Sequence, residues 1–391
     1  MRILVASHTY IVDLNGEKFR TLANLEPNIE VIIVVPKQWR PGGVQNQLIE
    51  TKPRTEGQFR VIPISNFSKN NQGLLTFGLD IIPLLKDFKP QIIQVEQGVK
   101  SFAYAQLITL NRWLNLQAKN LFFTWWNLPY TSKFPISYLE QYNLKNTDGL
   151  VAGNQDAADI LQAHGYNNAV EVMPQLGVDE TFFSPQKQPE LANKLGIKPE
   201  EFVIGFVGRF VTEKGILTLL KSVANLSQSS WKLLLLGRGE LKETILSEAK
   251  KIGLENRLII IESVPHDQVA RYINLMNVLV LPSETTYQFK TLTAVGWKEQ
   301  FGHVLIEAMA CKVPVIGSNS GEIPNVIEDA GLIFPEGDDL ALKVCLTQLI
   351  ENPQLAQELA EKGYQRVLEK YTNKALAQQL LIFYQKLLQS S

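Results

Sequence analysis

Trp297-Lys298-Glu299-Gln300-Phe301-Gly302-His303-Val304-Leu305-Ile306-Glu307-Ala308-Met309-Ala310 is the stretch on which the reading of this chain turns. Two carboxylates, Glu299 and Glu307, stand eight residues apart around a glycine, and the residues after Gly302 predict a helix starting there. The first carboxylate then lies in the turn ahead of the helix and the second inside it. Eight positions cover at most roughly 12 Å of helical rise, the length over which a nucleotide sugar presents its hexose and ribose hydroxyls. Amides at a helix start have no partner within the helix, and the dipole favours anions there, so the turn between the carboxylates suits a diphosphate. A bare pair of glutamates at this spacing equally fits a solvated helix. What surrounds the pair decides between the two.

Further segments follow in order. Gly205-Phe206-Val207-Gly208-Arg209-Phe210-Val211-Thr212-Glu213-Lys214-Gly215 ends an apolar run and places two cations, Arg209 and Lys214, five residues apart. Gly208 lets the backbone approach a ligand, and the cations suit a diphosphate that gains charge as a sugar leaves. Val278-Leu279-Val280-Leu281-Pro282-Ser283 reads as a strand and turn ahead of the double glutamate. Pro314-Val315-Ile316-Gly317 and Gly321-Glu322-Ile323-Pro324 read as a strand and loop after it. Gly177-Val178-Asp179, with Phe183 and Pro185, reads as a passage between domains. Taken together, the region from Gly177 to about Pro335 resembles the E-x7-E signature of retaining glycosyltransferases, family 4. The first half resembles them much more weakly.

That resemblance implies an α/β protein of GT-B fold, two Rossmann-like parallel-sheet domains facing a cleft. Residues 1–185 would form an acceptor-binding domain and 186–371 a nucleotide-sugar-binding domain, with 372–391 a terminal helix packing back on the first. The alternation of apolar runs with amphipathic stretches independently points to βαβ units and parallel sheets. Pro185, Pro189, Gly196 and Pro199 among polar residues suggest the boundary. By family position, Arg209 and Lys214 act on the diphosphate, Glu299 on the donor sugar and Glu307 on the ribose. Amides near Phe301, Gly302 and His303 lie beside sugar and diphosphate. His303 fits either a phosphate donor or a helix-start residue without ligand contact. Arg238 falls near the nucleotide, and Ser263-Val264-Pro265 supplies backbone contacts to a uracil or guanine edge.

Ligands of such sheets meet the carboxyl ends of strands. In the first half this nominates His8 after the first strand, Glu96 and Gln97 after Ile92–Val95, and Trp126 and Asn127 after Leu121–Thr124, all as acceptor-side residues. Here the chain departs from the family pattern. Asn15-Gly16 stands where many members carry Gly-Gly, and Glu96-Gln97 where many carry His. The departure bears on acceptor and sugar choice more than on reaction class.

Composition sets limits. The length of 391 residues favours two domains, 45% hydrophobic content suffices for two cores, and a net charge of -1 gives no sign of nucleic acid. Met1-Arg2 runs straight into Ile3-Leu4-Val5-Ala6 without a signal-peptide pattern, and no apolar run approaches the roughly 20 residues of a membrane span. Cys311 and Cys345 read as reduced thiols of a cytoplasmic protein, and the four His show no metal-ligand spacing. From Lys37 to Lys119 there are eleven cations and five acids, a net +6. Such a basic domain suits peripheral contact with anionic lipid at the inner face of the plasma membrane, or a phosphorylated acceptor; charges so widely spaced also suit a solvated surface.

The expected activity is retaining transfer of a sugar from a UDP- or GDP-sugar to a hydroxyl of a saccharide or lipid-linked acceptor, in cell-surface polysaccharide or glycoconjugate synthesis. No cofactor is expected, the nucleotide sugar being a co-substrate. No metal is expected either, since no D-x-D follows a strand and Asp338-Asp339 lies in a late loop. Two other classes share features of the chain. A nucleotide-cofactor oxidoreductase would need a complete glycine fingerprint, and Gly237-Arg238-Gly239 lacks its third glycine, with Lys242 in that place. A non-catalytic sugar-nucleotide-binding subunit would keep the fold and lose the cations and glutamates present here.

Overall fold

Runs such as Ile3–Ala6, Val31–Val35 and Leu233–Leu236 are apolar at every position, a pattern that suits strands covered on both faces, and every one of these residues is buried. The computed structural model describes residues 1–41, 47–227, 230–290 and 295–389. Two compact units result. The first comprises Met1–Gly177 and the terminal segment from Asn373, and the second the described residues between Val178 and Thr372.

In chain order the first unit contains β1 (Arg2–Ala6), β2 (Glu30–Pro36), the short β3 (Gln38–Trp39) and β4 (Ile49–Glu50), β5 (Arg54–Glu56), β6 (Phe59–Ile64), β7 (Ile92–Val95), β8 (Lys119–Thr124), β9 (Gly149–Ala152) and β10 (Ala169–Val172). Eight form one sheet in the order β10-β9-β8-β7-β1-β2-β6-β5, parallel except for β5 against β6. β3 and β4 form a separate antiparallel pair. Ala6 of β1 is in register with Val95 of β7. The chain leaves these two strands toward opposite sides of the sheet, so their carboxyl ends form a topological switch point.

The second unit holds β11 (Phe202–Val207), β12 (Trp231–Leu236), β13 (Leu258–Ile261), β14 (Val278–Leu281), β15 (Thr286–Lys290), β16 (Val295–Trp297), β17 (Val315–Ser318) and β18 (Gly331–Phe334). Its main sheet runs β13-β12-β11-β14-β17-β18 and is parallel throughout. β15 and β16 form an antiparallel hairpin outside it. The switch point lies between β11 and β14, paired at Gly205 and Leu279.

The unit boundary falls at Gly177–Val178, ahead of the expected position at 185. The segment up to the prolines is already bound into the second unit: Phe183 is buried, and Asn274 Nδ2 donates to the Ser184 carbonyl at 3.0 Å. Proline content marks the loop there; hydrogen bonds and burial set the boundary. Asn373–Gln389 is a helix belonging to the first unit, where Leu376, Leu380, Phe383 and Leu387 join the core on one face of the sheet. Among the described residues no helix is long and apolar enough to cross a membrane.

A polar group sits inside that face. Lys18 and Glu96 are both buried, with Nζ 3.8 Å from Oε1. Glu96 accepts from the Tyr10 hydroxyl, from Gln94 Nε2 at 2.7 Å and from Gln175 Nε2 at 2.9 Å, while Tyr384 of the terminal helix donates to Gln94 Oε1 at 2.7 Å. Burial holds the Lys18 ammonium below its ordinary pKa, against the opposing pull of Glu96. Removing one member of such a pair strands the other charge, at a cost of about 3–5 kcal/mol. Lys18→Met should therefore lose about that much stability in urea unfolding, and Lys18→Met combined with Glu96→Gln should recover part of it. A double variant no more stable than the single one would show that the pair is not the cause.

Candidate functional site

In the second unit the site is built at the β11–β14 switch point. β11 delivers Gly208 and Arg209, and a short 3₁₀ turn over Thr212–Lys214 follows. β14 delivers Pro282 and Ser283. Lys214 Nζ donates to Glu299 Oε2, and Ser283 Oγ donates to the same oxygen at 2.7 Å. Ser283 is held in turn, its carbonyl accepting from Ser318 Oγ at 2.5 Å. The Lys214 ammonium also stands 5.0 Å from the Trp297 ring centroid, a cation–π contact. Both partners of the ion pair are largely buried, at 15% and 8% side-chain exposure, so solvent screens it little.

The backbone under Glu299 is fixed from the following loop. Glu322 N–H donates to the Glu299 carbonyl at 3.2 Å. Gly321 has φ +54°, and a Cβ there would stand 1.9 Å from that carbonyl oxygen. Only glycine fits. The helix His303–Ala310 starts after Gly302, in the left-handed region at φ +81°, and no side chain caps its first turn.

Glu307 lies in this helix with a side chain only 10% exposed. Burial raises its carboxyl pKa to about 8, while burial, then the neighbouring His266, lowers the His303 imidazole to about 4. At neutral pH Glu307 is thus mostly protonated and His303 neutral. His266 Nε2 at 3.5 Å and His303 Nε2 at 3.8 Å flank Oε1 beyond hydrogen-bond length. His266 belongs to no motif in the sequence; its position just after Ser263-Val264-Pro265, at a helix start, is the only signal it carries. It packs edge-on against Phe183 at 5.5 Å.

The remaining donor-side positions differ in setting. Arg209 is 64% exposed and pairs with Glu213 at 3.3 Å. Arg238 is exposed, and its carbonyl accepts from Phe210 N–H at 2.9 Å. Phe301 is buried, edge-on to Tyr371 at 5.6 Å, and Val264 is half-buried just ahead of the helix His266–Ile273. The glycines flanking Arg238 serve the protein's own packing. A Cβ on Gly237 would stand 1.8 Å from the Gly208 carbonyl, and one on Gly239 2.3 Å from that of Phe210. Close approach of two strand-end loops therefore accounts for the partial G-x-G. Among the described residues no group of three or more His, Cys, Asp and Glu could hold a metal ion.

At the first unit's switch point, the nominated residues separate. His8 packs on Trp39 with ring centroids 4.9 Å apart, and burial lowers its pKa to about 4. Its Nδ1 is buried without a hydrogen-bond partner, as is Gln97 Nε2, while Gln97 Oε1 accepts from Ser101 at 2.9 Å. Trp126 is half-buried, its Nε1 donating to the Leu128 carbonyl at 2.6 Å, and Asn127 is buried. Glu96 is a correction. Its side chain is wholly buried in the Lys18 network and does not stand at a rim. Its amide still donates to the Ala6 carbonyl at the strand end, but its carboxylate points into the core face.

Residues 187–366 match the family described as glycosyl transferases group 1. Among curated proteins, N-acetyl-alpha-D-glucosaminyl L-malate synthase of Bacillus anthracis is 28% identical over 210 residues, covering 53% of this chain and 51% of that protein. The capsular polysaccharide biosynthesis glycosyltransferase CapM of Staphylococcus aureus is 31% identical over 196 residues, covering 49% and 48%. The chain thus spans about half the length of these relatives. Among solved structures, Anabaena HepE in complex with UDP-glucose aligns with a TM-score of 0.69 at 15% identity, over 99% of this chain and 100% of that one. The second unit thus matches the glycosyl transferases group 1 model over residues 187–366, and the whole length follows the two-unit architecture of the GT-B fold.

Proposed function

We propose that this chain transfers a sugar from a uridine or guanosine diphosphate sugar to a hydroxyl of a saccharide or lipid-linked acceptor, with retained anomeric configuration, in cell-surface polysaccharide or glycoconjugate synthesis. The observation that carries it is the Glu299 carboxylate fixed by Lys214 and Ser283 at the switch point, with a second buried carboxyl, Glu307, in the helix that follows. CapM, named for capsular polysaccharide, and HepE, solved with UDP-glucose, are consistent with that donor and pathway class.

In the proposed step the bond from the anomeric carbon to the diphosphate oxygen breaks, and the acceptor oxygen bonds to that carbon on the same face. The acceptor proton passes to the departing phosphate oxygen, so no protein base is needed. Lys214, Arg209 and the amides around Gly302 and His303 would meet the charge growing on the diphosphate, work that requires no metal. Glu299 would accept from sugar hydroxyls and Glu307 from the ribose, since each carboxylate can accept several hydrogen bonds. Arg238 and the Val264 backbone are assigned to the nucleotide. In the first unit, His8 and Gln97 present unpartnered buried polar atoms that an acceptor hydroxyl could satisfy, with Trp126 and Asn127 on the neighbouring loop. Leaving such atoms unpaired costs about 1–3 kcal/mol each, so a site that gains them a partner favours binding.

Lys214→Ala should lower turnover at saturating donor by about 10²–10³, because charge on the leaving group peaks in the transition state. Arg209→Ala should act in the same direction. Sugar release measured with and without acceptor is the check; folded wild-type protein that binds donor but never releases sugar would be a binding subunit. Near wild-type rates in both variants would remove the diphosphate from this turn.

Ribose hydroxyls favour the Glu307 carboxylate, whereas burial in the free protein keeps it mostly protonated below about pH 8. Donor binding at pH 7 should therefore release close to one proton, read by calorimetry in buffers of different ionisation enthalpy. Glu307→Gln should release none and bind donor roughly ten- to a hundredfold more weakly. Proton release equal in both proteins would take Glu307 out of the nucleotide site.

The same shift predicts a stability profile for the free protein. A folded-state pKa raised from 4.5 to about 8 stabilises the native state below pH 4.5, and that contribution is lost as pH rises to 8. The melting temperature of Glu307→Gln relative to wild type should thus climb across this window and level off above it. A difference independent of pH would show that Glu307 titrates normally.

A further inference from the structure

In the first unit, large apolar side chains protrude from the loops at the carboxyl ends of the strands. Phe67 (81% exposed), Leu74 and Leu79 (82%) lie beyond β6, and Phe102 beyond β7. The loop after β6 is ordered by its own backbone: Phe67 N–H donates to the Thr76 carbonyl at 3.1 Å, and Gly78 N–H to that of Ser65 at 2.7 Å. Asn66 is bridged to Phe77, which is buried, so the adjacent Phe67 turns outward on the other face. Phe102 N–H donates to the Gly73 carbonyl at 3.1 Å, which sets it beside Leu74.

Cations accompany them. Arg40 N–H donates to the Lys69 carbonyl at 2.6 Å, and both side chains are exposed. Residues 57–79 contain no acid, their only charges being Arg60 and Lys69. The next acid, Asp80, is tied to the amide and hydroxyl of Ser65 at 3.0 and 2.6 Å. Single apolar side chains standing out from ordered backbone, with the exposed cations Arg40 and Lys69 in the same loops and Asp80 held by Ser65, match the layered chemistry of an anionic bilayer surface. Apolar tips enter the acyl boundary, and ammonium and guanidinium groups meet lipid phosphates.

We propose that this edge of the first unit docks on an anionic membrane, with Phe67, Leu74 and Phe102 inserted and Arg40 and Lys69 on the headgroups. The same edge carries His8 and Gln97 at the ends of β1 and β7, so docking would bring a lipid-linked acceptor to the residues assigned to it. That purpose rests on the glycosyltransferase reading; the docking itself does not.

The test is flotation of the full chain with phosphatidylglycerol–phosphatidylcholine vesicles and with phosphatidylcholine alone. Wild type should float with the anionic vesicles and be largely released by high salt. Arg40→Gln with Lys69→Gln should weaken binding about 25-fold, at about fivefold per cation. Phe67→Ser with Leu74→Ser should weaken it about tenfold or more, with melting temperature and acceptor-free sugar release in solution unchanged. Absence of wild-type binding to anionic vesicles at low salt overturns the proposal, as does binding that both double variants retain. A dimer in sedimentation velocity that Phe67→Ser with Leu74→Ser dissociates would assign the face to a second copy and overturn it too. Vesicle binding without any sugar release leaves docking standing and sinks the glycosyltransferase reading; sugar release without vesicle binding does the reverse.

Discussion

Glu299 is the residue at which four separated parts of the second unit are joined. One oxygen receives Lys214 from the turn after β11 and Ser283 from the end of β14, and the backbone carbonyl receives the amide of Glu322 from the loop after β17. Gly321 must pack directly on that carbonyl for the arrangement to close. A parallel sheet forces all these segments to the same edge, because every strand ends there. The side chain of a charged residue buried at such an edge must be paired, and its partners then fix the loops that supply them. Rigid placement of Glu299 is thus a consequence of burying it.

The second carboxyl has the opposite electrostatic setting. Glu299 is charge-paired with an ammonium, whereas Glu307 is buried beside His266 and a His303 whose own pKa is depressed, so it holds its proton. Under the proposed function this difference has a use. The group that must accept from a ligand is kept neutral when no ligand is present, which avoids an unpaired buried charge in the free protein. Ligand hydroxyls then supply the hydrogen bonds that make ionisation favourable, and binding and proton release become one event.

The sequence was most legible where burial left no alternative. The strands Ile92–Val95 and Val278–Leu281 are buried at every position and have the bounds read from sequence. β6 and β10 are less legible because they lie toward the sheet edges and mix polar with apolar positions: β6 contains Arg60 and Pro63, and β10 is only partly buried. The hairpin β15–β16 is illegible for a related reason. Its residues are largely exposed, so neither strand carries a core pattern. The Lys214–Glu299 contact was foreshadowed by order along the chain, whereas the approach of His266 to Glu307 links two helices and leaves no periodic trace.

Glu96 shows where strand-end reasoning stops. Position after a parallel strand gives the edge of the sheet but says nothing of which face a side chain takes. Glu96 and Gln97 are consecutive and so point to different sides. Glu96 turns to the face covered by the helices Glu17–Leu25 and Asn373–Gln389, where Lys18, Tyr10 and Gln175 receive it. Gln97 turns the other way, and its Nε2 stays unpartnered beside the β1 loop that carries an equally unpartnered His8. A carboxylate, the more reactive-looking of the two, is the one a core must neutralise. An amide left unsatisfied near a switch point costs less to keep, and it retains the hydrogen-bonding capacity that a ligand can use. In this unit, then, the buried charge is tied into the core and reaches the terminal helix through Gln94, and the neutral polar atoms near it hold the capacity for recognition.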